Sequence, residues 1–124
     1  MKVLVVDDET DMKTLFEQKF RKEIRENIVE FAFAVSGEQA LEYLDLHNHE
    51  AVLILSDINM PGMTGLELLS KIKTSNINPP PIVMMITAYG DEENYKNAMK
   101  LGADDFLVKP IDFGVLKSKL KIDL

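Results

Sequence analysis

Short, unbroken apolar runs alternate along this chain with segments whose apolar residues recur every three or four positions. Val3 to Val6 is the first run, aliphatic throughout, as expected of a strand buried on both faces. The acidic turn Asp7-Asp8-Glu9 ends it. Met12, Leu15, Phe16, Phe20 and Ile24 then trace the apolar stripe of one amphipathic helix. Val29, Phe31, Phe33 and Val35 alternate within Ile28 to Val35 and predict a second strand. Ser36 with Gln39 reads as a capping box, opening a helix that carries Ala40, Leu41, Tyr43 and Leu44. Ala51 to Leu55 predicts a third strand, ending at Ser56-Asp57, and Met60-Pro61-Gly62-Met63 a turn. Thr64 with Glu67 is a second capping box, before Leu66, Leu68, Leu69 and Ile72. Pro79-Pro80-Pro81 reads as a loop, and Ile82 to Ile86 as a fourth strand closing at Thr87-Ala88. Asp91 is the expected N-cap of a helix carrying Tyr95, Ala98 and Met99, and Gly102 is its C′ residue. Phe106 to Val108 predicts a fifth strand, ending at Lys109-Pro110. Asp112 caps a last helix with Phe113, Leu116 and Leu120 inward, which Gly114 weakens by ~1 kcal/mol relative to alanine.

Five strand–helix units in succession predict an α/β fold whose parallel sheet is covered on both faces. Right-handed crossovers leave few topologies for it. In such sheets, ligands bind beyond the carboxyl ends of the strands, where the strand order reverses. The length, 124 residues, is one domain's worth, and a hydrophobic content of 46% supports a self-sufficient core. No cysteine is present, which excludes disulfides, thiolate metal sites and thiol catalysis. A net charge of −7 opposes direct nucleic-acid or anionic-membrane binding over most of the surface. No apolar run approaches the ~20 residues of a spanning helix. The apolar start of the chain is cut by Asp7 before it reaches the length of a signal peptide. The expected location is the cytoplasm.

The residues that close the strands carry chemistry. Asp7 and Asp8 follow the first strand, Asp57 the third, Thr87 the fourth and Lys109 the fifth. All are expected at one edge of the sheet. Clustered carboxylates repel one another and raise each other's pKa, and a divalent cation relieves this. Oxygen ligands without His or Cys point to Mg2+. A carboxylate is also a nucleophile toward phosphorus, provided that cations neutralise the incoming group. Thr87 would add a hydrogen bond that forms only after transfer.

These residues stand in four short motifs: Val5-Val6-Asp7-Asp8-Glu9, Ser56-Asp57-Ile58-Asn59-Met60-Pro61-Gly62-Met63-Thr64-Gly65, Ile86-Thr87-Ala88 and Leu107-Val108-Lys109-Pro110. Through them the whole chain resembles the receiver domain of two-component response regulators, the chemotaxis-regulator class. The resemblance implies a single receiver domain over 1–124. It implies a flavodoxin-like (βα)5 three-layer sandwich whose five-stranded parallel sheet has the order 2-1-3-4-5. It implies Asp57 as phosphoacceptor for a phosphohistidine on a sensor histidine kinase or phosphotransfer protein. Asp8, Asp57 and the Asn59 backbone carbonyl would hold Mg2+, with Asp7 acting through a bound water. Lys109, Thr87 and Ala88 would bind the phosphoryl group. Phe106 would take the aromatic switch position, where many members carry tyrosine and its hydroxyl. Asn59 and Tyr89 would tune hydrolysis of the aspartyl phosphate, and the Lys109–Pro110 peptide would be cis. No turnover of an external substrate is expected. The output would pass through a downstream effector domain or protein, with a homodimer as a further possibility.

Each residue also has a plainer reading. Asp7-Asp8 suits a solvated helix start, Phe106 a core position, and the methionines core filler. His47 and His49 resemble a metal pair but lack a third ligand, and are read as exposed loop residues. Three rival functions compete. A haloacid-dehalogenase-type phosphohydrolase would need Asp-x-Asp where Asp57-Ile58-Asn59 stands, and its acidic pair late in the chain. A flavin-binding protein would need a hydroxyl- and glycine-rich phosphate loop where Asp7-Asp8-Glu9 stands. A receiver-shaped docking module that takes no phosphate is opposed by the complete residue set.

Overall fold

The computed structural model describes residues 1–47, 52–75, 81–88 and 90–121. The strands are β1 (Lys2–Val6), β2 (Glu30–Ala34), β3 (Val52–Asp57), β4 (Ile82–Ala88) and β5 (Asp105–Lys109). The helices are α1 (Asp11–Lys19), α2 (Arg21–Arg25), α3 (Gly37–Leu46), α4 (Gly65–Thr74), α5 (Glu92–Lys100) and α6 (Phe113–Lys119). All strand pairs are parallel, in the order β2-β1-β3-β4-β5. The sheet is the flavodoxin-like one expected.

Side-chain alternation along β1 divides the core into two layers. Leu4 and Val6 pack with Ile54, Val83 and Met85 beneath Ala40 and Leu44 of α3, Leu68, Leu69 and Ile72 of α4, and Ala98 of α5. Val3 and Val5 pack with Leu55, Met84, Ile86 and Leu107 beneath Met12 and Phe16 of α1 and Leu116 of α6. The second layer is rich in aromatic rings. Phe20 is fully buried and meets Phe16 (5.9 Å), Phe31 (4.9 Å) and Phe113 (6.1 Å). Truncating such a ring to alanine costs about 3–5 kcal/mol.

Several expectations shift. The first helix is two, because Phe20 leaves helical geometry (φ −109°, ψ 20°) where its ring enters the aromatic cluster. The i→i−4 bonds persist through this kink, from Phe20 N–H to Phe16 O and from Ile24 N–H to Phe20 O. The second strand starts at Glu30, because Asn27 is left-handed (φ 60°) and the N–H groups of Ile28 and Val29 both donate back to Glu23 O of α2. It stops at Ala34, since Val35 N–H donates to Gln39 Oε1. The Ser36 box is therefore half formed: Ser36 Oγ accepts from Gln39 N–H, but the reciprocal bond goes to Val35. The Thr64–Glu67 box is complete. Asp91 and Asp112 cap α5 and α6, and Gly102 ends α5 at φ 95°.

Of the three residues that mark α5 in the sequence, only Ala98 is buried; Tyr95 is 46% and Met99 51% exposed. The cause is that α5 meets the sheet along one narrow stripe, leaving its apolar flank uncovered. His47, expected as an exposed loop residue, is the partly buried C-cap of α3, its ring 4.3 Å from that of Tyr43. His49, Ala51, Pro79, Pro80 and Tyr89 lie outside the described residues. No helix among the described residues is long and apolar enough to cross a membrane.

Candidate functional site

The parallel register carries the carboxyl ends of β1, β3, β4 and β5 to one edge. Because β1 lies between β2 and β3, the loops after β1 and β3 leave toward opposite faces and a crevice opens between them. Asp7 and Asp8 sit in the first loop, and Asp57 is the last residue of β3. One carboxylate oxygen from each of the three lies within 4.8 Å of the others. Asp7 and Asp57 are buried and Asp8 is exposed, so the cluster opens to solvent on one side.

Lys109, at the end of β5, reaches across β4 into this cluster. Its Nζ donates to Asp57 Oδ2 at 3.2 Å and to Asp7 Oδ2 at 3.5 Å. The other oxygen of Asp7 accepts from the Glu9 backbone N–H at 2.9 Å, which fixes the carboxylate's direction. The Asn59 backbone N–H binds the Asp57 carboxylate, while the Ser56 hydroxyl donates to Asp57 O at 3.0 Å.

Burial pushes the Asp57 carboxyl up; Lys109 opposes this and Asp7 adds to it, and the group stays above the usual carboxylate range. Burial alone would lower the Lys109 ammonium, but Asp57, Asp7 and Glu9 outweigh it and hold it above its ordinary value. Two buried carboxylates and one ammonium leave negative charge uncompensated, which suits a cation. The donors are all hard oxygens, with no His or Cys among them, so the set fits Mg2+.

The other predicted residues described lie on β4 and β5. Thr87 is buried, and its hydroxyl donates to Ala88 O at 2.9 Å. Ala88 is exposed at the end of β4, opposite Lys109 in the register. Phe106 is partly buried, against the helix layer of α3 to α5, with its ring 4.4 Å from that of Tyr95. The Lys109–Pro110 peptide is cis.

Sequence reasoning gave no role to Gly65, although it stands in the third-strand motif. A Cβ there would collide with the Asp57 carbonyl and come within 2.7 Å of Ile58 Cα. Gly65 N–H instead donates to Ile58 O at 2.8 Å, so α4 starts directly against the backbone of the site. The signal was the glycine placed immediately after a helix N-cap, where backbone approach and not turn geometry requires it. The nearness of Glu9 to Lys109 was likewise missed, since it depends on how the first loop folds back.

Comparison with known proteins bears on the family and the fold. The chemotaxis protein CheY1 of Helicobacter pylori is 35% identical over 100% of this chain and 97% of its own length. The transcriptional regulatory protein ZraR of Escherichia coli is 37% identical over 96% of the chain, which spans only 25% of that protein. The solved structure of the chemotaxis protein CheY4 of Vibrio cholerae superposes with a TM-score of 0.80 at 27% identity, covering 99% of this chain and 98% of that one. The sequence model of the response regulator receiver domain matches residues 3–121, and with that match the chain belongs to the receiver domain family of two-component signalling.

Proposed function

We propose that this domain accepts a phosphoryl group on Asp57 from a phosphohistidine of a sensor histidine kinase or phosphotransfer protein, and that the modification switches one of its faces. The observation that carries this reading is the Asp57 carboxylate held at the end of β3 between Lys109 Nζ at 3.2 Å and the oxygens of Asp7 and Asp8.

Asp7, Asp8, Asp57 and the Asn59 carbonyl would hold Mg2+. When bound, the ion neutralises charge on the phosphoryl oxygens and so permits approach of an anion to an anion. An Asp57 oxygen attacks phosphorus. The P–O bond forms as the P–N bond to the donor imidazole breaks, and the electron pair returns to that ring. Lys109 is tied to Asp57 beforehand and pairs with the phosphoryl group as charge moves outward from the carboxylate. The raised Asp57 pKa marks a carboxylate that the pocket solvates poorly, and transfer moves its charge outward onto the phosphoryl oxygens of an acyl phosphate.

Thr87 then rotates its hydroxyl from Ala88 O toward a phosphoryl oxygen. Its movement vacates space beside β4, and Phe106 turns inward from Tyr95 to fill it. Phe106 brings no hydroxyl, so the signal lies in the packing of the α5–β5–α6 face and not in a new hydrogen bond from that ring. Asn59 and Tyr89 flank the acceptor and tune hydrolysis. An effector domain or protein reads the altered face, in the cytoplasm, and a homodimer formed through it is compatible with its apolar content.

Intact mass after incubation with Mg2+ and acetyl phosphate tests the proposal. One phosphoryl adduct is expected on the wild type, and none on Asp57→Ala or without metal. If neither acetyl phosphate nor a phosphohistidine donor labels the wild type, the domain is a docking module and the proposal fails.

A further inference from the structure

On the side of the molecule formed by α2 and α6, a second cleft of about 510 Å3 opens between the end of α1, α2 and Lys117 of α6. Its lining holds Lys19, Arg21, Lys22, Arg25 and Lys117 against only two acids, Glu23 and Glu26. This local excess of positive charge stands in a chain of net charge −7, and it contains both of the chain's arginines.

The packing explains why the cations face outward. Phe20 is fully buried in the aromatic cluster and Glu23 is buried beside it, so both turn the same side of α2 inward. Glu23 is committed to Lys117, whose Nζ donates to its carboxylate at 2.8 Å. Lys117 and Lys19 also lie over the Phe20 and Phe113 rings, at 5.1 and 5.9 Å. Arg21, Lys22 and Arg25 are left on the exposed side. Among the described residues neither arginine makes an ion pair. They stand four residues apart on one helix face, a like-charge spacing that destabilises the helix in isolation.

We propose that this cleft docks an acidic segment of a partner polypeptide, with Arg21 and Arg25 each forking onto a carboxylate. Guanidinium groups favour planar, bidentate carboxylates, and two acids one helical turn apart on a partner helix repeat the arginine spacing. The lining has no exposed aromatic ring to stack a base and no glycine loop to cradle phosphates, which disfavours a nucleotide. The acidic remainder of the surface repels an anionic bilayer. The contact is independent of Asp57 chemistry and would bring a partner to the domain through charge steering.

The test is an amide NMR titration with a capped peptide of repeated Glu-Ala-Ala-Ala units at low salt. Saturable shifts confined to residues 18–28 and 117 are expected. They should vanish with the Gln-Ala-Ala-Ala peptide, and affinity should fall about tenfold in the Arg21→Gln/Arg25→Gln variant. Both side chains are exposed, so this variant keeps the fold, and its amide dispersion verifies that. Absent shifts, or shifts spread equally over Lys71, Lys96 and Lys100, overturn the proposal. So would a response to tripolyphosphate or to phosphatidylglycerol vesicles without one to the peptide, which would assign the cleft to small phosphates or to a membrane.

Discussion

Asp57 shows how a single residue can oppose the stability of its own fold. Its carboxyl is buried beside Asp7 and its pKa is raised. A raised carboxylate pKa means that the folded state resists ionisation more than the unfolded chain does. Stability is therefore lost as pH rises through the usual Asp range toward the raised value. Asp57→Asn removes this penalty, while Lys109 keeps its bond to Asp7. Without divalent cations the variant should melt higher by about 1 kcal/mol, or about 4 °C in Tm for a domain of this size. Added Mg2+ should raise the wild-type Tm by mass action and leave the variant nearly unmoved. Calorimetry at pH 7 with EDTA and then with Mg2+ checks both; a lower Tm for the variant in EDTA would mean that the carboxylate is stabilised where it sits. The three acids and Lys109 were legible in the sequence because each closes an apolar strand. Gly65 was not, because its constraint is a contact with Asp57 and Ile58 across a turn.

Between elements, the Glu23–Lys117 pair ties α2 to α6 across the aromatic layer. Burial alone would raise the Glu23 carboxyl, but the Lys117 hydrogen bond and charge hold it below the usual range. A lowered pKa contributes stability that is present above the unfolded value, about 4.3, and is lost as pH falls through the folded one. Lys117→Ala strands the buried carboxylate and should destabilise the domain by up to about 3 kcal/mol at pH 7. The deficit should shrink in acid as Glu23 protonates. Urea melts at pH 7 and pH 3.5 measure this, and an equal deficit at both would reduce Lys117 to a packing role. Strands, caps and layers were readable from periodicity, since apolar runs and Ser, Thr or Asp before a helical stripe have local causes. The kink at Phe20 and the late start of β2 were not. They follow from an aromatic ring drawn into the core and from Glu23 O capturing two N–H groups. The exposure of Tyr95 and Met99 was not legible for a related reason: a helical stripe tells which residues share a face, while the neighbouring elements decide how wide a face is covered.

At the scale of the whole molecule, the site and the face proposed to respond lie on one continuous sheet. Thr87 stands on β4 between Asp57 of β3 and the β5 strand that carries Phe106. Its hydroxyl has a partner in Ala88 O, so a turn toward a phosphoryl group would exchange one hydrogen bond for a stronger, charge-assisted one. The proposed switch would then be a population shift, biased only by what the modified state contacts better. Tyr95, Met99, Val108 and Val115 are exposed large apolar residues on α5, β5 and α6, and the Tyr95–Phe106 ring contact joins Tyr95 to the residue proposed to move. Thr87→Ala deletes the hydroxyl but leaves Asp57, Asp7, Asp8 and Lys109 in place. It should take the phosphoryl adduct at close to the wild-type rate while losing most of the phosphorylation-dependent shift changes at Tyr95, Phe106 and Val115. Amide and aromatic NMR spectra of both proteins, each with and without acetyl phosphate and Mg2+, measure this. Unchanged shifts in the variant would show that the face responds to phosphorylation by a route that bypasses Thr87. Loss of the adduct itself would place Thr87 in the transfer step and not in the coupling.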